Sequence, residues 1–379
     1  MTAASNLIQW SKHPIFAAIN QKGPEGPFFT MHIYRDIDQL PVFRRAVITI
    51  GTFDGVHTGH QQILEQLQQE AARIGGETVI ITFHPHPRKI VKGNATPIHL
   101  INTPEEKIAL LAWKKVDHLV IVPFTEAFSQ LTAEQYIKDF LLAKFHPHTI
   151  IIGYDHQFGK GRLGDYHLLE EFSKREGFVL QEIPVHLLNA VSVSSTRIRE
   201  AIGKADIATA NQLLGYDFFF SGRVMEGRKL GRTIGYPTAN LELSDPEKLI
   251  PGDGVYAVEV EDVTGMEATA GIAGAGMTAN EQAAGIGSGG RVGEDAVRIE
   301  TAGKVPRWKG MMNIGMRPTV DGTHRTIEVN IFDLNADLYG RTLRVFLKKH
   351  LRGEQKFAGL DALKEQLARD RENALEALL

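Results

Sequence analysis

The stretch GTFDGVHTGH, residues 51–60, lies between the apolar run AVITI (46–50) and the segment QQILEQLQQEAARI (61–74). The first run is short and β-branched, as a strand buried on both faces is. The second carries apolar residues at three- and four-residue spacing, as a helix does. A loop leading from strand to helix turns free backbone N–H groups, and the positive end of the helix, toward whatever sits at the sheet edge. Gly59, between His57 and His60, lets the chain pass close to a ligand. Three readings compete for the histidine pair: a metal site, an ordinary core-facing pair, or a cradle for phosphate. Zinc needs further ligands, which FHPHP (83–87) could nominally supply through His84 and His86. The strand-to-helix position favours an anion, whose charge imidazole N–H donors stabilise.

The same texture extends outward. After AVITI come TVIITF, HLVIVPF, TIIIG and FVLQEI, all short and rich in β-branched residues. Between them PEEKIALLAWKKV and TAEQYIKDFLLAKF show helical spacing behind Pro, Glu and Thr start signals. Strand–helix alternation predicts an α/β unit with a parallel sheet, in which ligands bind beyond the carboxyl ends of the strands. STRIREAIGKADIATANQLLG (195–215) reads as helical, ending on Gly215 as a C-cap and boundary. Beyond it DFFFSGRV, GVYAVEVE, TIEVNIF and TLRVFLK are strand-like and separated by Gly, Pro and Asp, which predicts an antiparallel barrel or sandwich. The tail LDALKEQLARDRENALEALL is an amphipathic helix. The Gly/Ala-rich run at 265–293, within an insertion at about 262–305, has no sustained periodicity and is expected to be flexible.

Bulk properties bound the rest. The 379 residues suit two or three domains, and 43% hydrophobic with 23% charged content is ordinary for a globular chain. A formal net charge of -3 argues against nucleic acid as a partner. With no cysteine there is neither a disulfide framework nor thiolate chemistry, which fits a cytoplasmic enzyme. No run approaches the roughly 18 apolar residues of a membrane span. Residues 1–30 carry the turn-rich QKGPEGP and are expected to be a loose extension, with Met31 opening MHIYRDIDQLP as a strand.

In the second half GRKLGRTIGYPTANLEL (227–243) combines glycines with basic residues, as a phosphate-covering loop would. Thr238 and Asn240 are two residues apart, so an extended strand turns both to one face, where their oxygens suit Mg²⁺. A turn with local side-chain hydrogen bonds explains the same four residues, Pro237 to Asn240, equally well.

Taken together, these motifs resemble a known family. GTFDGVHTGH resembles the HxGH signature of nucleotidylyltransferases in the form used by bacterial FMN adenylyltransferases. GYDHQFGKGRLGD (153–165) and SSTRIR (194–199) follow in the family's order. GYPTANL, PGDGVYAV, NIGMRPTVDG, RTIEVNIFDLNADLYG and LRGEQKF resemble the bacterial riboflavin kinase module. The resemblance, to the prokaryotic FAD synthetase family, implies a Rossmann-like adenylyltransferase domain (31–214) followed by an antiparallel β-barrel kinase domain (215–379) with a terminal helix. It implies two reactions, riboflavin plus ATP giving FMN, then FMN plus ATP giving FAD and pyrophosphate, with Mg²⁺ accompanying ATP.

The resemblance also assigns residues. His57 and His60 would act on the phosphates, with Gly51, Phe53, Gly59, Ser195, Thr196 and Arg199 holding the nucleotide. Asp155 and Phe158 would line the flavin side. Gly231, Thr238 and Asn240 would hold the second nucleotide, Thr238 and Asn240 with its metal, and Glu328 would take the riboflavin hydroxyl proton. Glu328 on its own also reads as an outward-facing strand carboxylate. Where relatives often read EVH, this chain has Glu328-Val329-Asn330. Two rival readings are a nucleotidylyltransferase for another phosphorylated substrate with a regulatory barrel, and a flavin sensor without catalysis. Small molecules are the expected partners; protein partners are not legible.

Overall fold

The computed structural model describes residues 29–91, 98–153, 156–183, 193–227, 231, 234–264, 294–299, 306–319 and 322–379, with backbone alone at 29, 294–299, 318–319 and 322–324. The β-branched runs form the strands their composition predicts: β2 (Val47–Ile50), β3 (Thr78–His84), β4 (His118–Pro123), β5 (Thr149–Gly153) and β6 (Val179–Ile183). With β1 (Phe29–Tyr34) they make a six-stranded parallel array in the order β1-β4-β3-β2-β5-β6. From β2 the chain first builds to one side through β3 and β4, then crosses back to add β5 on the other side. The order therefore reverses at β2, and the loop beginning at Gly51 leaves its carboxyl end, where open α/β sheets bind ligands.

The second half is a closed barrel with neighbours β11-β12-β8-β7-β13-β9. These are β7 (Phe219–Met225), β8 (Ala239–Leu243), β9 (Gly254–Asp262), β11 (Trp308–Thr319), β12 (Gly322–Ile331) and β13 (Thr342–Arg352). Alternation sends Ile327, Val329 and Ile331 into the core and leaves Glu328 on the opposite face. Closure removes the free edges that an open sheet would expose. The terminal helix Leu360–Ala377 is fastened by Asp370, which is 1% exposed and receives three hydrogen bonds of 2.6–3.1 Å from Arg352.

Two expectations need revision. STRIREAIGKADIATANQLLG is two helices, Ser195–Gly203 and Ile207–Leu214, because Ala205 takes a φ of 60° and Asp206 caps the second by accepting from Thr209 N. Gly215 does supply the left-handed C-cap. The insertion expected to be flexible contains a strand, β10 (Glu294–Ile299), which pairs antiparallel with β1 from Phe29↔Ile299 to Tyr34↔Glu294. Backbone hydrogen bonding needs no hydrophobic periodicity, so this strand leaves little trace in composition. The stretch 265–293 and residues 1–28 lie outside the described residues.

The halves share their packing. Phe219 and Phe346 of the barrel sit in the α/β core, while Ile198, Ile202, Ile207 and Leu214 pack into the barrel core. Within the α/β half, Thr58 Oγ1 donates to Leu213 O (2.9 Å) and Gln61 Nε2 to Leu214 O (2.8 Å), which ties the helix packed on the barrel back to the first helix.

Candidate functional site

The loop after β2 is held in a strained form. Phe53 (φ 48°) and Val56 (φ 34°) occupy the left-handed region that bulky and β-branched residues avoid, at about 1–3 kcal/mol each. Its neighbours impose the shape. The Phe53 ring is buried, the Tyr216 hydroxyl donates to Gly55 O (2.6 Å), and Gln61 Nε2 donates to Val56 O (2.9 Å). Gly51 N–H is already used, donating to Ile81 O (3.0 Å).

The loop delivers His57 as the N-cap of helix Thr58–Ile74, where its Nδ1 accepts from His60 N (3.3 Å). In the neutral imidazole the proton is then on Nε2, which is left as a donor. The two rings stack with centroids 3.7 Å apart and planes 12° apart, and Phe53 backs His60 at 4.8 Å. Stacked rings do not converge their nitrogens on one point, as a metal requires. Among the described residues no group of three or more His, Cys, Asp or Glu could hold a metal ion. Burial lowers His57 from its ordinary value to about 4, with Arg199 adding repulsion. Burial also carries His60 well below its ordinary value, with His57 and Lys107 contributing, and its Nδ1 has no hydrogen-bond partner among the described residues.

The distant SSTRIR segment meets this loop at Asp54. Ser195 Oγ donates to Asp54 O (2.9 Å), and the Arg199 guanidinium pairs with the Asp54 carboxylate. Asp54, 1% exposed, also accepts from Ile101 N (3.0 Å) and Asn102 N (3.3 Å). Thr196 is exposed in the first turn of the same helix. Lys107 Nζ donates to Thr52 O (2.9 Å). His86 reports the local charge: burial first, then Arg199, Lys107, Arg88 and Lys89, lower it to about 3. Cations therefore gather where His57, His60 and a helix N-terminus converge, an arrangement that attracts phosphate. Asp54 and Lys107 escape sequence reading. An acidic residue looks wrong in an anion loop, and Lys107 looks like one more charge on an amphipathic helix.

On the flavin side, Phe158 is a core residue stacked on Tyr136 at 5.0 Å and bridged to Gly164. Asp155 lies outside the described residues.

In the barrel, Glu328 and Asn240 are direct cross-strand partners of β12 and β8. They share a face, with Cβ atoms about 4.5–5.5 Å apart. Thr238 lies two residues before Asn240. Two described glycines come close to the pair: a Cβ at Gly227 would stand 2.0 Å from Asn240 Nδ2, and one at Gly231 would stand 2.2 Å from Tyr236 O and 3.5 Å from Thr238 Oγ1. At Gly231 the close atom is a backbone carbonyl, so a side chain there would force the backbone to move, whereas at Gly227 it is the movable end of Asn240. Asn330 ties the turn to β12, its Nδ2 donating to Pro237 O (2.7 Å). Arg317 stands between Glu328 and Glu354, 3.6 Å from each. Glu328 is thus an outward strand carboxylate that lies opposite Asn240 on the neighbouring strand.

Two phosphate-suited sites on unrelated folds, carried by one chain, place the protein among bifunctional nucleotide-dependent transferases. Residues 40–197 match the family model described as FAD synthetase, and residues 214–378 match that described as riboflavin kinase. The bifunctional riboflavin kinase/FMN adenylyltransferase of Escherichia coli K12 is 37% identical over 87% of this chain and 92% of its own length. The Haemophilus influenzae protein of the same description is 33% identical over 88% and 94%. The chain belongs to the bifunctional riboflavin kinase/FMN adenylyltransferase family. A crystal structure described as a macrolide-efflux protein from Streptococcus pneumoniae also matches, at 28% identity and a TM-score of 0.71, over 90% of this chain and 97% of that one. Among the described residues of this chain, no helix is long and apolar enough to cross a membrane.

Proposed function

We propose that the two activities of the family are divided between the halves of this chain. The barrel phosphorylates riboflavin to FMN, and the α/β half joins FMN to AMP. The observation that carries this division is the contrast in chemistry, a carboxylate facing an amide in one site and neutral imidazoles among cations in the other.

In the barrel, the riboflavin hydroxyl attacks the ATP γ-phosphorus, its proton passes to the Glu328 carboxylate, and ADP leaves. Hard oxygen donors on Thr238 and Asn240, which Gly231 and Gly227 approach closely, fit a nucleotide-borne Mg²⁺. Bound there, the ion would supply neutralising charge to the phosphates. Gly231 brings the loop backbone over them, and Asn330 holds the Pro237 turn in place.

In the α/β half, an FMN phosphate oxygen attacks the ATP α-phosphorus and pyrophosphate leaves. The nucleophile is already anionic, so no general base is required. The His57 Nε2–H, the His60 ring and Arg199 stabilise charge developing on the phosphates, while Ser195 and Thr196 present the helix N-terminus. Gly59 leaves that approach open, and Gly51 fixes the loop's point of departure. Phe53 and Phe158 act from the core, the first by backing His60 and the second by shaping the 153–165 loop on which Asp155 meets the flavin. Residues 31–214 and 215–379 then form two working units that share one interface, in a cytoplasmic setting with small molecules as partners.

Incubation with riboflavin, ATP and Mg²⁺, followed by chromatography over time, tests the assignment. FMN should appear first and FAD after it, and FAD should form directly when FMN is supplied. A product from another nucleotide or acceptor would support a different transferase, and no ATP-dependent product would support a sensor.

A further inference from the structure

Lys248 comes from the barrel half, five residues beyond β8, yet its side chain ends inside the α/β half. It is 3% exposed. Its Nζ donates to Ile101 O (2.6 Å) and pairs with the Glu106 carboxylate. Phe218 and Phe219 cover it, their ring centres 4.7 and 5.5 Å from Nζ. The backbone reinforces the contact, with Leu100 N donating to Glu247 O (2.7 Å) and Leu249 N to Leu100 O (2.8 Å). A second ion pair, Lys89 with Glu247, closes the same seam.

The segment held this way is the one that fixes the phosphate cradle. Ile101 N and Asn102 N donate to Asp54, and Arg199 Nε donates to His99 O (2.9 Å) while its other end pairs with Asp54. Glu106 completes a capping box with Thr103 at the start of the next helix, so both partners of Lys248 are rigid. A cation sequestered from water at one joint of this chain of contacts gains its attraction only in one geometry, which is what a positioning group requires.

We infer that Lys248 is a positioning residue for FAD formation: the barrel half, through this buried ammonium, sets the 99–106 segment and hence the placement of Arg199 on the nucleotide. The inference rests on reading the His57–His60 cradle as the adenylylation site. The FAD-forming half is therefore incomplete without the kinase half, although the reverse dependence is absent from this contact.

The test uses full-length variants, Lys248→Met and the double variant Lys248→Met with Glu106→Gln. The second spares the protein a stranded buried carboxylate and keeps the experiment informative where the first fails to fold. Steady-state kinetics are measured for FAD formation from supplied FMN and for riboflavin phosphorylation. In both variants the KM for ATP in FAD formation should rise by about tenfold or more with a smaller change in kcat, the signature of lost nucleotide placement. Riboflavin phosphorylation should stay within about twofold. A double variant with wild-type KM for ATP in FAD formation, or with equal losses in both reactions, would overturn the inference. Failure of the underlying reading looks different: His57→Ala would leave FAD formation intact, and the role of Lys248 would fall with it.

Discussion

The two proposed sites would handle phosphate with opposite materials. The α/β site is assembled from residues scattered over the chain, His57 and His60, Lys107, Ser195 and Arg199, all converging on the strained loop after β2. Its histidines, His57 buried and His60 partly buried, are held neutral, and Lys107 and Arg199 outnumber Asp54, the buried carboxylate of the loop. The barrel site is local, two paired strands and the glycines beside them, with a partly exposed carboxylate facing an amide. A reaction whose nucleophile is already charged needs fixed donors and cations. One whose nucleophile is a hydroxyl needs a proton acceptor that water can reach and reset.

The largest effects should separate the two completely. His57→Ala combined with His60→Ala should cut FAD formation about a thousandfold or more and spare FMN formation, while Glu328→Ala should cut riboflavin phosphorylation by roughly 10²–10⁴ and spare FAD formation from supplied FMN. Loss of both activities in one folded single-site variant would break the comparison.

Acid should come next. With His57 lowered to about 4 against an ordinary 6.5, the unfolded chain takes up a proton before the folded one. Stability is thus fully present above about pH 6.5 and declines as pH falls toward 4, by about 3 kcal/mol from this group. His60 and His86 push in the same direction. Denaturant unfolding at pH 7 and pH 4.5, followed by probes in each half, should show the α/β half weakening more. Equal weakening would mean the interface unfolds as one unit.

Asp54→Asn sharpens the contrast further, since it leaves Arg199 without its anionic partner. FAD formation should fall about thirtyfold, the equivalent of one charge-assisted hydrogen bond, with riboflavin phosphorylation unchanged. The smallest effect belongs to the barrel. Asn330→Ala removes the bond to Pro237 O and should raise the kinase KM for ATP about fivefold, about 1 kcal/mol, without touching FAD formation.

How far the sequence reveals each site follows from the same difference. Contiguous features are legible: the β-branched runs became β2 to β6, and His57 and His60 stand out because one helix N-terminus holds both, the first as N-cap and the second in the first turn. Thr238, Asn240 and Glu328 could be grouped by resemblance, but only strand register puts Asn240 opposite Glu328. Lys248 is hidden in DPEKLIPG, where a lysine reads as an ordinary turn charge, because its partners are more than a hundred residues away. Phe158 illustrates the reverse, a residue prominent in a motif whose ring is spent on the core. The break at Ala205 was signalled by Asp206, a good N-cap, and was overridden by continuous apolar spacing on either side.

The pairing of β10 with β1 bears on how the protein is made. β1 ends at Tyr34 and its antiparallel neighbour begins at Glu294, so the ribosome must complete the whole α/β half and part of the barrel before that neighbour emerges. At about 5–20 residues per second, the interval is on the order of tens of seconds. Until then β1 lacks the antiparallel partner it has among the described residues, and chaperone demand during synthesis should fall once residues 294–299 arrive.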